Sequence, residues 1–186
     1  MKRRPRRKRK ALDIILVAIC ASSLAAAALI GWTILHDGTV YSEISTEAVA
    51  AEGGGIDWEA LRARNPDISA WVSVDGTAID YAVVQAPGGD PDYYLSHDIY
   101  RSWNPYGCPY VDAACDGVGG MSAVVFGHNM GGGFVAMFAD FARYSDEAFA
   151  RSHPTIELQT PNGAMELSVS AVDVIDGSEN AKRTDF

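Results

Sequence analysis

The hydrophobic pattern of the chain changes three times along its length. Residues 14–35 form an unbroken run of 22 without a charge, long enough to cross a hydrocarbon core of about 30 Å as a helix. Residues 37–55 are small and acidic and end in Gly53-Gly54-Gly55, the composition of a tether. Residues 56–65 carry helical spacing, and Pro66 ends that helix because the residue before proline disfavours helical backbone. Beyond Pro66, short β-type runs at 68–74 and 79–84 are separated by Asp75-Gly76 and followed by the loop Pro87-Gly88-Gly89-Asp90-Pro91. Tyr110-Val111, 123–126, 156–159 and 165–175 continue the strands, with the hairpin signal Asn162-Gly163 between the last two. Residues 134–144 and 146–151 read as short helices. Without repeated strand–helix alternation, the pattern predicts a mainly β fold, an antiparallel barrel or sandwich decorated by short helices.

Charge sharpens this organisation. Eight of the 15 Lys and Arg lie in residues 1–13, as does one of the 24 Asp and Glu, so the remainder holds seven cations against 23 anions, a net −16. A dense basic cluster before an apolar span stays cytoplasmic, which predicts a cell-membrane protein of single-pass topology: leader 1–13, transmembrane anchor 14–35 with Trp32 at the outer interface, linker 36–55 and an extracellular β domain 56–186. Ala25 to Ala28 also offers a small-residue cleavage site. The apolar run is nevertheless longer than a secretory signal core, so a retained anchor is preferred. The acidity of the outer part excludes nucleic acid or anionic lipid as partners of its bulk surface; membrane lipid is met through the anchor alone.

Candidate chemistry concentrates in Val124-Val125-Phe126-Gly127-His128-Asn129-Met130. A strand breaks at glycine and displays one histidine at its mouth, beside the open loop Gly131-Gly132-Gly133. Histidine titrates near neutrality and suits a general acid/base, although a lone histidine also serves as an ordinary hydrogen-bonded polar residue. Asn129 is placed to orient the imidazole or to cap the next helix. His97 and His153 lack metal-ligand spacing relative to His128. Asp90, Asp92, Asp112 and Asp116 do not form a calcium loop, and no glycine loop carries the Lys-Ser/Thr partner of a phosphate cradle. No metal and no cofactor are therefore expected. Of the three cysteines, Cys20 lies in the apolar run. Cys108 and Cys115 fall on and just after the strand preceding the histidine strand, where an external disulfide between them is the leading reading.

Five blocks in order resemble a class B sortase: Asn65-Pro66-Asp67-Ile68-Ser69-Ala70-Trp71-Val72, Asp75-Gly76-Thr77-Ala78-Ile79-Asp80-Tyr81 with Val83-Val84-Gln85, Asp92-Tyr93-Tyr94-Leu95-Ser96-His97-Asp98, Phe126-Gly127-His128-Asn129-Met130 and His153-Pro154-Thr155-Ile156. The resemblance spans residues 57 to about 175. It implies a sortase-like antiparallel β-barrel and a cysteine transpeptidase on the outer face of a bacterial membrane. Such an enzyme cuts a C-terminal sorting signal, similar to Asn-Pro-x-Thr-x, in secreted proteins and passes the acyl group to an amine of a peptidoglycan precursor or a pilin. His128 matches the catalytic histidine. Leu95 and Phe126 match groove-lining positions, with core packing the competing reading for each. The family's Thr-Leu-x-Thr-Cys strand and later arginine strand have no counterpart here: residues 176–186 contain no cysteine and no strand pattern. The expectation is a C-terminally truncated sortase whose closing strands, nucleophile and arginine are missing, so that the chain as given is inactive. The alternative is a non-catalytic, anchored extracellular module that binds peptide or wall material.

Overall fold

The computed structural model describes residues 12–32, 55–86, 88, 90–129 and 137–173, in two compact units, 1–42 and 43–186. In the first, helix α1 (Leu12–Trp32, 21 residues) is long and apolar enough to cross a membrane; at 1.5 Å per residue it extends about 32 Å. It begins two residues before the span read from the sequence. Ser22 and Ser23 do not interrupt it, because both hydroxyls donate to the Ile19 carbonyl at 2.9 Å and leave no unmet polar group. The basic leader up to residue 11 and the linker at 33–54 lie outside the described residues.

The second unit opens with α2 (Trp58–Arg64), whose N-terminus is capped by Asp57: the carboxylate accepts from Ala60 N–H at 2.9 Å. The helix stops at Asn65, which takes extended backbone before Pro66, as the proline demands. Six strands follow: β1 (Ile68–Ser73), β2 (Asp80–Val84), β3 (Tyr110–Val111), β4 (Val125–Phe126), β5 (Thr155–Thr160) and β6 (Gly163–Ser168). They form one sheet in the order β4-β3-β2-β1-β5-β6. β1 and β2 lie at its centre because their side chains are apolar on both faces. Ala70, Val72, Val74, Ile79, Val83, Val111 and Leu158 build the core, and Tyr144 and Phe149 pack onto it.

This mainly β sheet with short helices matches the expected fold class, with local corrections. The pairing is not wholly antiparallel: β2 and β3 run parallel through Val84↔Tyr110. The long connection at 85–109 permits that crossover, which a tight turn cannot make. The last strand ends at Ser168 rather than continuing to 175, because its partner β5 begins at Thr155 and only Val169 N–H reaches further, to Pro154 O. Phe138–Ser145 is a 3₁₀ helix. Its aromatic rings recur every three residues, Phe138 against Phe141 at 4.9 Å and Phe141 against Tyr144 at 5.8 Å, a period that suits three residues per turn. Helix α3 (Glu147–Ser152) follows, capped by Asp146.

The disulfide expectation is also corrected, since Cys108 and Cys115 are both free thiols. Cys108 is buried with its Sγ against Pro109 O, and burial pushes its thiol pKa up. Cys115 Sγ instead accepts from Val124 N–H at 3.4 Å. A thiol reagent near neutral pH should therefore label Cys108 only through global unfolding, about 10³-fold or more slowly than in denaturant. Equal rates in buffer and in urea would show that the side chain is accessible in the native state.

Candidate functional site

Strand β4 delivers residues 125–128 to one edge of the sheet. Gly127 follows directly on β4 and faces the 3₁₀ helix. There the Phe138 ring lies so close that a Cβ on Gly127 would stand 2.3 to 2.7 Å from three of its carbons. Glycine is required here by packing. Gly127→Ala should cost about 1–3 kcal/mol, as overpacking does, read as a fall in the urea midpoint. Shortening the ring in Gly127→Ala/Phe138→Leu should recover part of the loss; no recovery would mean that Phe138 is not the obstacle.

His128 is tied on both sides. Its carbonyl accepts from Phe138 N–H at 3.0 Å, and Asn129 forms a bridge to Met137. Met137 N–H in turn donates to the Tyr81 hydroxyl at 3.0 Å. The imidazole Nε2–H donates to the main-chain carbonyl of Leu95 at 2.8 Å, across the 3₁₀ turn Tyr93–Leu95. The sequence-derived candidates Leu95 and His128 are thus in direct contact. Leu95 is 44% exposed, so its side chain is not core. Phe126 is half-buried and packs on Tyr110, ring centroids 5.3 Å apart. Asn129 is exposed and bridged to Met137, and the 3₁₀ helix after it has Met137, not Asn129, at its N-cap. The Gly131-Gly132-Gly133 loop lies outside the described residues.

The network that fixes the 93–95 turn joins residues about thirty positions apart, which no local pattern links. Tyr94, 1% exposed, donates from its hydroxyl to Asp67 Oδ2 at 2.6 Å and accepts from Asn65 Nδ2 at 2.9 Å. Arg101 pairs with the same Asp67 oxygen at 2.7 Å, and Asn65 Nδ2 also donates to Ile99 O. Arg101 sits at φ +64, a left-handed conformation uncommon outside glycine. Burial, with the Asp67 carboxylate beside it, raises the Tyr94 phenol to about 12.

Among the described residues no group of three or more His, Cys, Asp or Glu converges as metal ligands. Two open hollows, of about 650 and 600 Å³, flank the β5–β6 hairpin and are not lined by Leu95, Phe126 or His128. What remains at the β4 edge is a half-buried imidazole, anchored through one nitrogen on the Leu95 carbonyl. Such a group can transfer a proton to or from a reactant lying along the strand edge.

No family model matches the chain. It is 31% identical over 113 residues to sortase B of Listeria monocytogenes, covering 60% of this chain and 44% of that protein. Sortase B of Staphylococcus aureus is 28% identical over 130 residues, covering 69% of this chain and 52% of the relative. The chain therefore spans about half the length of the curated relatives it matches. A Staphylococcus aureus sortase B–substrate complex superposes with a TM-score of 0.61 at 27% identity, over 69% of this chain and 58% of the other.

Proposed function

Because the chain belongs to the class B sortase family, we propose that it serves a membrane-anchored cysteine transpeptidase with His128 as general acid/base. The observation that carries this reading is the placement of His128: half-buried at the end of β4 and held through Nε2 on Leu95 O at 2.8 Å.

In the proposed reaction a thiolate attacks the carbonyl carbon of the threonine in an Asn-Pro-x-Thr-x sorting signal. The imidazolium of His128 gives its proton to the departing amine nitrogen, and the acyl group remains on sulfur as a thioester. An acceptor amine, from a peptidoglycan precursor or a pilin, then attacks the thioester and His128 takes back a proton. The exposed Leu95 and the Phe126 ring offer apolar contact for the signal peptide beside the imidazole, and Asn129 flanks it. The thiol is assigned to sequence outside these 186 residues. Cys108 is buried and its thiol is held neutral, while Cys115 is engaged with Val124 N–H. In the same reading α1 anchors the protein, and the basic residues 2–10 keep its N-terminus in the cytoplasm, so the acidic β unit works outside the cell.

The test uses the product of the intact gene, anchored in detergent or vesicles, with a fluorogenic Asn-Pro-x-Thr-x peptide and an amine acceptor. The expected result is cleavage after threonine, amine-dependent product, and loss of both when thiols are alkylated. Peptide binding without cleavage would replace the enzyme by a non-catalytic binding module.

A further inference from the structure

The three described histidines are not held alike. His97 and His153 each meet a carbonyl four residues back through Nδ1: Tyr93 O at 2.7 Å and Phe149 O at 2.9 Å. His153 Nδ1 also meets Ser152 Oγ at 2.9 Å, whose hydroxyl itself donates to Phe149 O. His128 instead uses Nε2, and its carbonyl, Leu95 O, comes from 33 residues away. A carbonyl oxygen only accepts, and a neutral imidazole carries a single N–H. The nitrogen in contact must therefore hold the hydrogen: Nδ1 in His97 and His153, Nε2 in His128.

The Leu95 carbonyl is itself fixed by its surroundings. Gly107, at φ +57, passes beneath the 93–95 turn so closely that a Cβ would stand 2.5 Å from Tyr94 O and 2.6 Å from Leu95 O. Cys108 N–H donates to Tyr94 O at 2.9 Å, Asn104 N–H to Ser96 O at 3.0 Å, and Leu95 N–H to Asp92 O at 2.9 Å. The carbonyls on either side of Leu95 O are thus pinned. The Tyr94 side chain is pinned from below by Asp67 and Asn65.

We infer that the Leu95 carbonyl, set in place by Gly107, locks neutral His128 as its Nε2–H tautomer and leaves Nδ1 as the nitrogen that exchanges the proton. The second half rests on the acid/base reading given above; the tautomer itself does not. In that reading the Nδ1 lone pair takes the thiol proton, giving thiolate and imidazolium, and the Nδ1–H bond then breaks toward the leaving amine. The ring returns to Nε2–H with its anchor never broken. Gly107 is in this account a positioning residue.

The test is long-range ¹H–¹⁵N correlation on the full chain with ¹⁵N-labelled histidine in micelles, at about pH 9, above the ordinary imidazole pKa of ~6.5. Signals are assigned by single His→Gln variants. His128 should show a bare Nδ1 and a protonated Nε2, while His97 and His153 show the reverse. In Gly107→Ala the two His128 nitrogens should move toward each other as the tautomers mix, while His153, remote from the turn, keeps its pattern and reports an intact fold. A wild-type His128 that is Nδ1-protonated, or averaged between the two forms, overturns the inference. An unmixed His128 in folded Gly107→Ala removes Gly107 from it. Should Gly107→Ala not fold, Tyr94→Phe loosens the same turn without adding an atom and must produce the same mixing. None of these readings needs turnover, so they stand or fall apart from the activity of the intact protein.

Discussion

With His128 as the proposed acid/base, His128→Ala in the intact protein is expected to lower sorting-signal cleavage by about 10²–10⁴-fold, the span that a positioned acid/base contributes, while leaving the fold in place. The stability side follows from the geometry. Among the described residues the His128 side chain makes one hydrogen bond, to the Leu95 carbonyl of the 93–95 turn, and such a bond contributes about 1 kcal/mol net. Backbone anchors at His128 O and at the Asn129–Met137 bridge do not involve the imidazole. The thermal midpoint should therefore move by only a few degrees while turnover collapses. The loss should appear in kcat rather than KM, because the apolar surface at Leu95 and Phe126, the proposed peptide contact, is untouched. His128→Gln keeps a donor near the Nε2 position and so should hold the Leu95 contact without restoring proton transfer. A variant that retained cleavage within tenfold of wild type would take His128 out of the mechanism.

Much of the scaffold was legible in the residues. β1 and β2 announced themselves as runs of buried apolar side chains broken by Asp75-Gly76, and Asn162-Gly163 marked the β5–β6 hairpin. Asp57 and Asp146 cap α2 and α3 where a helix start calls for a carboxylate. What escaped was long-range in origin. The parallel β2–β3 pair depends on a crossover that no local pattern encodes. The truncation of the last strand depends on where its partner begins. The 3₁₀ helix at Phe138–Ser145 obeys an aromatic spacing of three that reads, without coordinates, as an irregular α-helix. Heptapeptide 124–130 named His128, yet nothing within it named Leu95 O as its partner, because that contact joins positions 33 residues apart. Gly107 was equally silent: its importance is the absence of an atom beneath two carbonyls.

Tyr94 should prove the most costly side chain to remove from the β unit. Its ring is 1% exposed, and aromatic-to-alanine changes at such sites cost about 3–5 kcal/mol out of the 5–15 kcal/mol typical of a domain. Tyr94→Ala also takes one hydrogen-bond partner each from Asn65 Nδ2 and the Asp67 carboxylate, which the hydroxyl now joins at 2.9 and 2.6 Å, leaving them Ile99 O and Arg101. Tyr94→Phe isolates the hydroxyl and should cost about 1–3 kcal/mol near pH 7, the penalty for leaving buried polar partners unmet. The pH dependence follows from the phenol pKa, raised from 10.0 to about 12 in the folded protein. A group whose folded pKa lies above its unfolded one stabilises fully below pH 10 and loses that contribution as pH climbs to 12. Urea midpoints of wild type and Tyr94→Phe should therefore differ by a constant amount up to about pH 9 and converge between pH 10 and 12. Ionised Tyr94 would face the Asp67 carboxylate, and Arg101, exposed to solvent on its outer side, neutralises only one of the two charges. A gap that widened with pH, or that did not exist at pH 7, would mean that the hydroxyl does not bridge Asn65 to Asp67, and the turn carrying Leu95 O would then need another support.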